Sequence, residues 1–117
     1  MSKRKLKRGN SLIAHVFNSK LKIIFQKSGL LRFISHLDLV RLFQRASRRS
    51  GLPVTMTKGF SPRLKISISR ALKLGVESDH EEAIFSMDEP VKPHDFIKAI
   101  NEKLPVGVLV TSAEGMN

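Results

Sequence analysis

The apolar positions of this chain fall into runs of two periods. Residues 20–26 alternate, with Leu21, Ile23 and Phe25 on one face and Lys22 and Gln26 on the other, which predicts a half-buried strand. Ser28-Gly29 ends it. From His36 to Ser50 the spacing becomes helical: at about 100° per residue, Leu39, Leu42, Phe43 and Ala46 share one face and Arg41, Arg45 and Arg48 the opposite one. Ser35 is placed as the N-cap, with Asp38 three residues on to complete a capping box. Gly51 suits the C-terminal turn, and Pro53 blocks any continuation. Alternation then returns. Residues 54–57 read as a short strand. Over residues 63–69, Leu64, Ile66 and Ile68 face one way and Arg63, Lys65, Ser67 and Ser69 the other. The link Gly59-Phe60-Ser61-Pro62 makes these two stretches a β-hairpin or a strand–loop–strand. Residues 83–87 form another strand. Pro93 opens a helix lined by Phe96, Ile97, Ile100 and Leu104. Pro105 and Gly107 stop it, and residues 106–110 close the pattern as a final strand.

The order β–α–β–β–β–α–β predicts an α+β sandwich: a mainly antiparallel sheet with two helices on one face, ferredoxin-like with one extra strand. At 117 residues, 41% of them apolar and seven of them Phe, the chain suffices for one domain and not two. We place that domain at residues 19–113. A basic arm, expected to be disordered, precedes it over residues 1–18, and a short tail follows over residues 114–117.

Charge changes this picture more than composition does. Residues 1–75 hold 18 Lys and Arg against the single acid Asp38, a net of +17, whereas residues 76–117 hold three Lys against nine acids, a net of −6. Such segregation points to one side facing a polyanion and a separate acidic side. The acidic side could instead meet a basic partner or keep the protein soluble. The arm, with Lys3, Arg4, Lys5, Lys7 and Arg8, reads either as sequence-blind grip on phosphates or as a solvated tail. The apolar stretch 12–17 lacks a small-residue cleavage site, so a secretory signal is not expected. The acid-free first 37 residues keep an organellar transit peptide as an alternative to a cytoplasmic protein. No apolar run approaches the roughly 18 residues that span a bilayer, so no membrane partner is expected.

Candidate chemistry concentrates between residues 31 and 70. The arginine stripe sets like charges at i, i+4, each pair costing about 0.2–0.5 kcal/mol, and Asp38 can relieve only part of it. A stripe of this kind is either a solvated face or a polyanion-facing one. In the link, Gly59 allows a positive φ that can turn successive N–H groups toward one anion. Ser61 adds a hydroxyl donor, and Lys58, Arg63 and Lys65 add charge, with the arginine fork matching phosphate oxygens. Phe60 either stacks on an unpaired base or folds inward to staple the hairpin. Phe33, beside Arg32, is expected in the core. The absence of Cys excludes disulfides, iron–sulfur clusters and thiol nucleophiles. His15, His36, His80 and His94 share no helical metal-ligand spacing, so neither a metal nor another cofactor is expected. His36, expected near the basic loop, is the one weak catalytic candidate: a general base on a 2′-hydroxyl, or a first-turn residue bonded locally. Asp79-His80-Glu81-Glu82 resembles an acidic cation site, but neighbours on a strand point to opposite faces.

The run Leu31-Arg32-Phe33-Ile34-Ser35-His36-Leu37-Asp38-Leu39-Val40-Arg41 carries a resemblance. So do Arg45 through Gly51-Leu52-Pro53, then Lys58-Gly59-Phe60-Ser61-Pro62-Arg63-Leu64-Lys65-Ile66-Ser67, and Leu74-Gly75-Val76-Glu77-Ser78. Together, within residues 20–113, they resemble the N-terminal half of the bacterial radical-SAM-linked domain of unknown function. That family's shared positions fall here on Arg32, Ser35, His36, Asp38, Gly59, Phe60, Ser61, Pro62, Arg63, Lys65, Gly75 and Glu77. Its members travel fused to or encoded beside a radical SAM enzyme, often near a ribonuclease of the G/E type and ribosomal proteins. The resemblance therefore implies an accessory role around RNA, with such an enzyme or ribonuclease as partner. A radical SAM cluster needs three cysteines, so this chain is not that enzyme.

Residues and resemblance together give three expectations. The first is an RNA-binding accessory module for tRNA or rRNA, using Arg32, Arg41, Arg45, Arg48, Lys58, Gly59, Phe60, Ser61, Arg63 and Lys65. The second is an adaptor docking through its acidic C-terminal part. The third is a metal-independent RNA-processing enzyme with His36 as base.

Overall fold

The computed structural model describes residues 19–69 and 78–116. The first alternating run builds β1, Ser19–Lys27, at the centre of a four-stranded sheet. It pairs antiparallel with β3, Ser78–Met87, on one side and with β4, Val108–Met116, on the other. The short β2, Ile66–Ile68, pairs antiparallel with β3 and forms the far edge, giving the order β2-β3-β1-β4. Helix α1, His36–Ser50, connects β1 to the β2 side, and α2, Pro93–Asn101, connects β3 to β4. Strand β3 thus lies between β1 and β2, the ferredoxin-like arrangement of an α+β domain.

Phenylalanine rings show where the layers meet. Phe25 of β1, Phe43 of α1, Phe85 of β3 and Phe96 of α2 form a row of edge-on contacts, with centroids 5.1, 5.8 and 5.0 Å apart. Both helices reach Phe85, so both lie on the same face of the sheet. Leu21, Ile23, Ala83, Met87, Val108 and Val110 complete the sheet's side of this core, and Leu39, Ala46 and Ile100 the helices' side. Among the described residues no element covers the opposite face of the sheet, which carries Lys20, Lys22, Ile24, Ile84 and Ser86.

Local signals act largely as the sequence predicts. The Ser35 hydroxyl accepts from the Asp38 N–H at 3.1 Å. Among the described contacts the box is half made, because the Asp38 carboxylate accepts from Arg41 Nη1 at 3.4 Å instead. Gly51 ends α1 with φ at +74°, and Pro93 stands in the first turn of α2. Four expectations are corrected. The strand expected at 54–57 is two isolated bridges, Val54 to Met87 and Met56 to Leu64, so the sheet has four strands, not five. The strand expected at 63–69 is only Ile66–Ile68, because the Ile66 N–H turns back to the Leu64 carbonyl at 3.0 Å and bends the chain. Strand β3 starts five residues before the expected 83, since β1 offers partners as far as Lys27 and draws the acidic stretch into the ladder. Strand β4 runs on to Met116, and Glu114–Met116, expected to trail off as a tail, pair with Lys20–Lys22. A 3-10 turn at Gly29–Phe33, absent from the sequence reading, leads from β1 into α1. The basic arm, and Gly75 and Glu77, lie outside the described residues.

Candidate nucleic-acid interface

The basic link is the tip of a hairpin that α1 holds in place. Its stem closes where the Thr57 N–H donates to the Arg63 carbonyl at 2.7 Å and Thr57 Oγ1 accepts from the Arg63 N–H at 3.1 Å. Behind that closure, the Lys65 N–H donates to the Thr55 carbonyl at 2.7 Å. Gln44 of α1, only 7% exposed, then does for Leu64 what a neighbouring strand would do. Its Nε2 donates to the Leu64 carbonyl at 2.7 Å, and its Oε1 accepts the Leu64 N–H at 2.9 Å. Leu64 is itself buried, so its N–H depends on this one amide, while its carbonyl also accepts from the Ile66 N–H.

Beyond the stem, Lys58, Gly59, Phe60, Ser61, Pro62 and Arg63 are all exposed. Gly59 takes a φ of +127°, a conformation that side chains rarely adopt. The Phe60 ring is 107% exposed, so it does not fold inward as a staple. A bare aromatic ring flanked by Lys58 and Arg63 has no packing role within the described fold.

The arginine stripe is also exposed, and helix geometry divides it. At about 100° per residue, Arg48 and Arg41 stand about 40° and 60° beyond Gln44, next to the hairpin. Arg45 and Arg49 follow at about 100° and 140° and turn toward the far side. Of the four arginines, Arg41 and Arg48 are thus the nearest in angle to Gln44, the residue that holds the hairpin at Leu64. Arg41 also pairs with Asp38 at 3.4 Å, with both groups mostly solvated, a contact of little energetic weight.

Residues 20–117, which span the sheet, both helices and the whole hairpin, match a family described as an uncharacterized protein conserved in bacteria (DUF2344). The chain belongs to this family. No curated protein and no solved structure matches it.

Within the DUF2344 fold, two predicted site residues stand apart from the hairpin. Arg32 sits in the 3-10 turn, where its Nη1 donates to the Gly29 carbonyl at 2.8 Å and its guanidinium lies 4.4 Å from the centroid of the Phe33 ring. Phe33 is 52% exposed and not in the core. Leu31 takes the inward position of that turn, close to Gly107, and leaves Phe33 outside under its arginine. His36 is exposed at the start of α1, eight residues before Gln44, or about 12 Å along the helix axis. No described contact joins His36 to the basic loop. On β3, Glu81 is buried on the helix side while His80 and Glu82 emerge on the other, 3.9 Å apart, as strand alternation requires.

One functional residue escaped the sequence reading of this DUF2344 domain. Where the hairpin meets the sheet edge, a groove of about 390 Å³ is lined by the cations Lys20, Arg63 and Lys65 and, among the described residues, by no acid. Gln44, Ser67 and Ser86 supply polar atoms, and Leu64, Ile66 and Ile84 are among the apolar walls. Alternation along β1 does place Lys20 on the outer face with Lys22. Its neighbourhood depends on the register Lys20 to Ser86 and on the Ser86 N–H donating to the Lys65 carbonyl, which only the fold supplies. Among the described residues, no helix is long and apolar enough to cross a membrane.

Proposed function

We propose that this domain is an RNA-binding accessory module of the cytoplasm, handing tRNA or rRNA to a radical SAM-type modifying enzyme or a ribonuclease. The observation that carries the reading is the bare Phe60 ring at the tip of a rigidly anchored cationic hairpin. Proteins that hold single strands combine positive grooves with aromatic platforms, because every base has a π-face and every linkage a phosphate. Arg41, Arg48, Lys58, Arg63 and Lys65 hold phosphates, Phe60 stacks on a base, and Gly59 and Ser61 shape the tip. Arg45 extends the positive field, and Arg32 adds a separate contact from the far end of α1. The partner enzyme rests on the family resemblance alone.

The test uses an oddity of composition: the chain has no Trp and no Tyr, so bound nucleic acid dominates its ultraviolet spectrum. Wild type and an Arg63→Ala, Lys65→Ala variant are purified at low salt and compared for nuclease-sensitive absorbance at 260 nm. RNA carried by wild type and lost in the variant supports the hairpin as the site. Equal carry-over moves binding to the basic arm. No carry-over in either favours the adaptor, docking through the acidic C-terminal part.

A further inference from the structure

We infer that the groove beside the hairpin admits one unpaired nucleotide of a single-stranded RNA, and that Lys20, on the face of the sheet opposite the helices, holds its phosphate. This rests on the RNA reading above and narrows it from a charged surface to a strand with a defined path. Three observations carry it. First, Lys20 comes from the central strand of the sheet and Arg63 and Lys65 from the hairpin, yet all three line one groove that no acidic side chain among the described residues enters. Cations from separate elements that converge on a common space repel one another unless an anion lies between them. Second, the groove pairs this charge with apolar walls from Leu64, Ile66 and Ile84 and with the polar atoms of Ser67 and Ser86. A nucleotide presents the same mixture, with an apolar ring face, hydroxyls and a phosphate. Third, the volume of about 390 Å³ is near the lower end for ligand sites. That is space for about one nucleotide. A strand that leaves a base on Phe60 therefore passes Arg63 and Lys65 and crosses the sheet edge to Lys20. A paired strand cannot follow it.

The walls are fixed before RNA arrives. The Gln44 amide sets the height of Leu64, and the bond from the Ser86 N–H to the Lys65 carbonyl, at 3.1 Å, ties the hairpin to β3. Little ordering of the backbone is left to oppose binding.

Binding of a short unstructured RNA and of a duplex of the same length is measured by fluorescence anisotropy across a salt series. Wild type, Lys20→Ala and Lys22→Ala are compared. Lys22 lies on the same strand and face but does not line the groove, so its removal changes net charge equally. Single-strand binding by wild type should exceed duplex binding. Lys20→Ala should lower the logarithmic salt slope for the single strand by about 0.7, the loss of one phosphate contact, while Lys22→Ala leaves it unchanged. Equal effects of the two substitutions, or equal affinity for duplex and single strand, overturn the groove assignment and leave the RNA reading standing. Wild type that binds neither RNA overturns both.

Discussion

At the scale of single residues, Phe60 and Gln44 separate binding from stability. Phe60 is fully solvated, so Phe60→Ala should leave the urea midpoint unchanged while weakening single-strand RNA binding by about 1–3 kcal/mol, the worth of one base stacked on an aromatic ring. Gln44→Ala works the other way. It strips the buried N–H of Leu64 of its acceptor, at about 1–3 kcal/mol in denaturant unfolding, while the Leu64 carbonyl keeps the Ile66 N–H as a donor. RNA affinity should then fall only because the hairpin has come loose. His36, about two turns from Gln44 along α1, contributes to neither, so His36→Ala should leave RNA binding and any associated cleavage unchanged.

At the scale of elements, α1 is an anchor on one flank and a charged surface on the next. Arg41 and Arg48 adjoin the flank that carries Gln44, and Arg45 and Arg49 stand beyond them. Charge reversal of Arg41 and Arg48 together should therefore weaken RNA binding more than reversal of Arg45 and Arg49, although both pairs change net charge equally. Competition titrations at fixed salt measure the difference. The helix itself was legible from residue spacing and from Ser35, Gly51 and Pro53, because those signals act within one or two turns. The hairpin was legible as alternation around Gly59 and Pro62. Its anchoring was not, since a glutamine twenty residues upstream reads in sequence as an unremarkable polar position between two arginines. Phe33 misled for the opposite reason: hydrophobicity predicted burial, but the 3-10 turn spent its inward position on Leu31.

At the scale of the whole molecule, one core of four phenylalanines joins the two helices to the sheet, and the basic side is built on the β2 edge. Phe43 touches both Phe25 and Phe85, so Phe43→Ala should cost about 3–5 kcal/mol and be read as a lowered thermal midpoint. The split of charge between the two halves of the chain predicted a basic side, and Arg63 and Lys65 do line one groove. It could not foretell that Lys20 joins that side, because strand order decides which distant residues become neighbours. The hairpin's fastening also bears on how this domain can vary. The described bonds that set its position lie at or behind the Thr57–Arg63 closure: that pair, the Thr55–Lys65 bond, the Gln44–Leu64 amide contact and the bonds of Thr55 and Lys65 to Ser86. Residues 58–62 hold nothing else in place among the described bonds. The tip is thus an interchangeable fitting on a fixed mount, and its length or its aromatic residue can be exchanged for another to change what is recognised while the fold stays as it is.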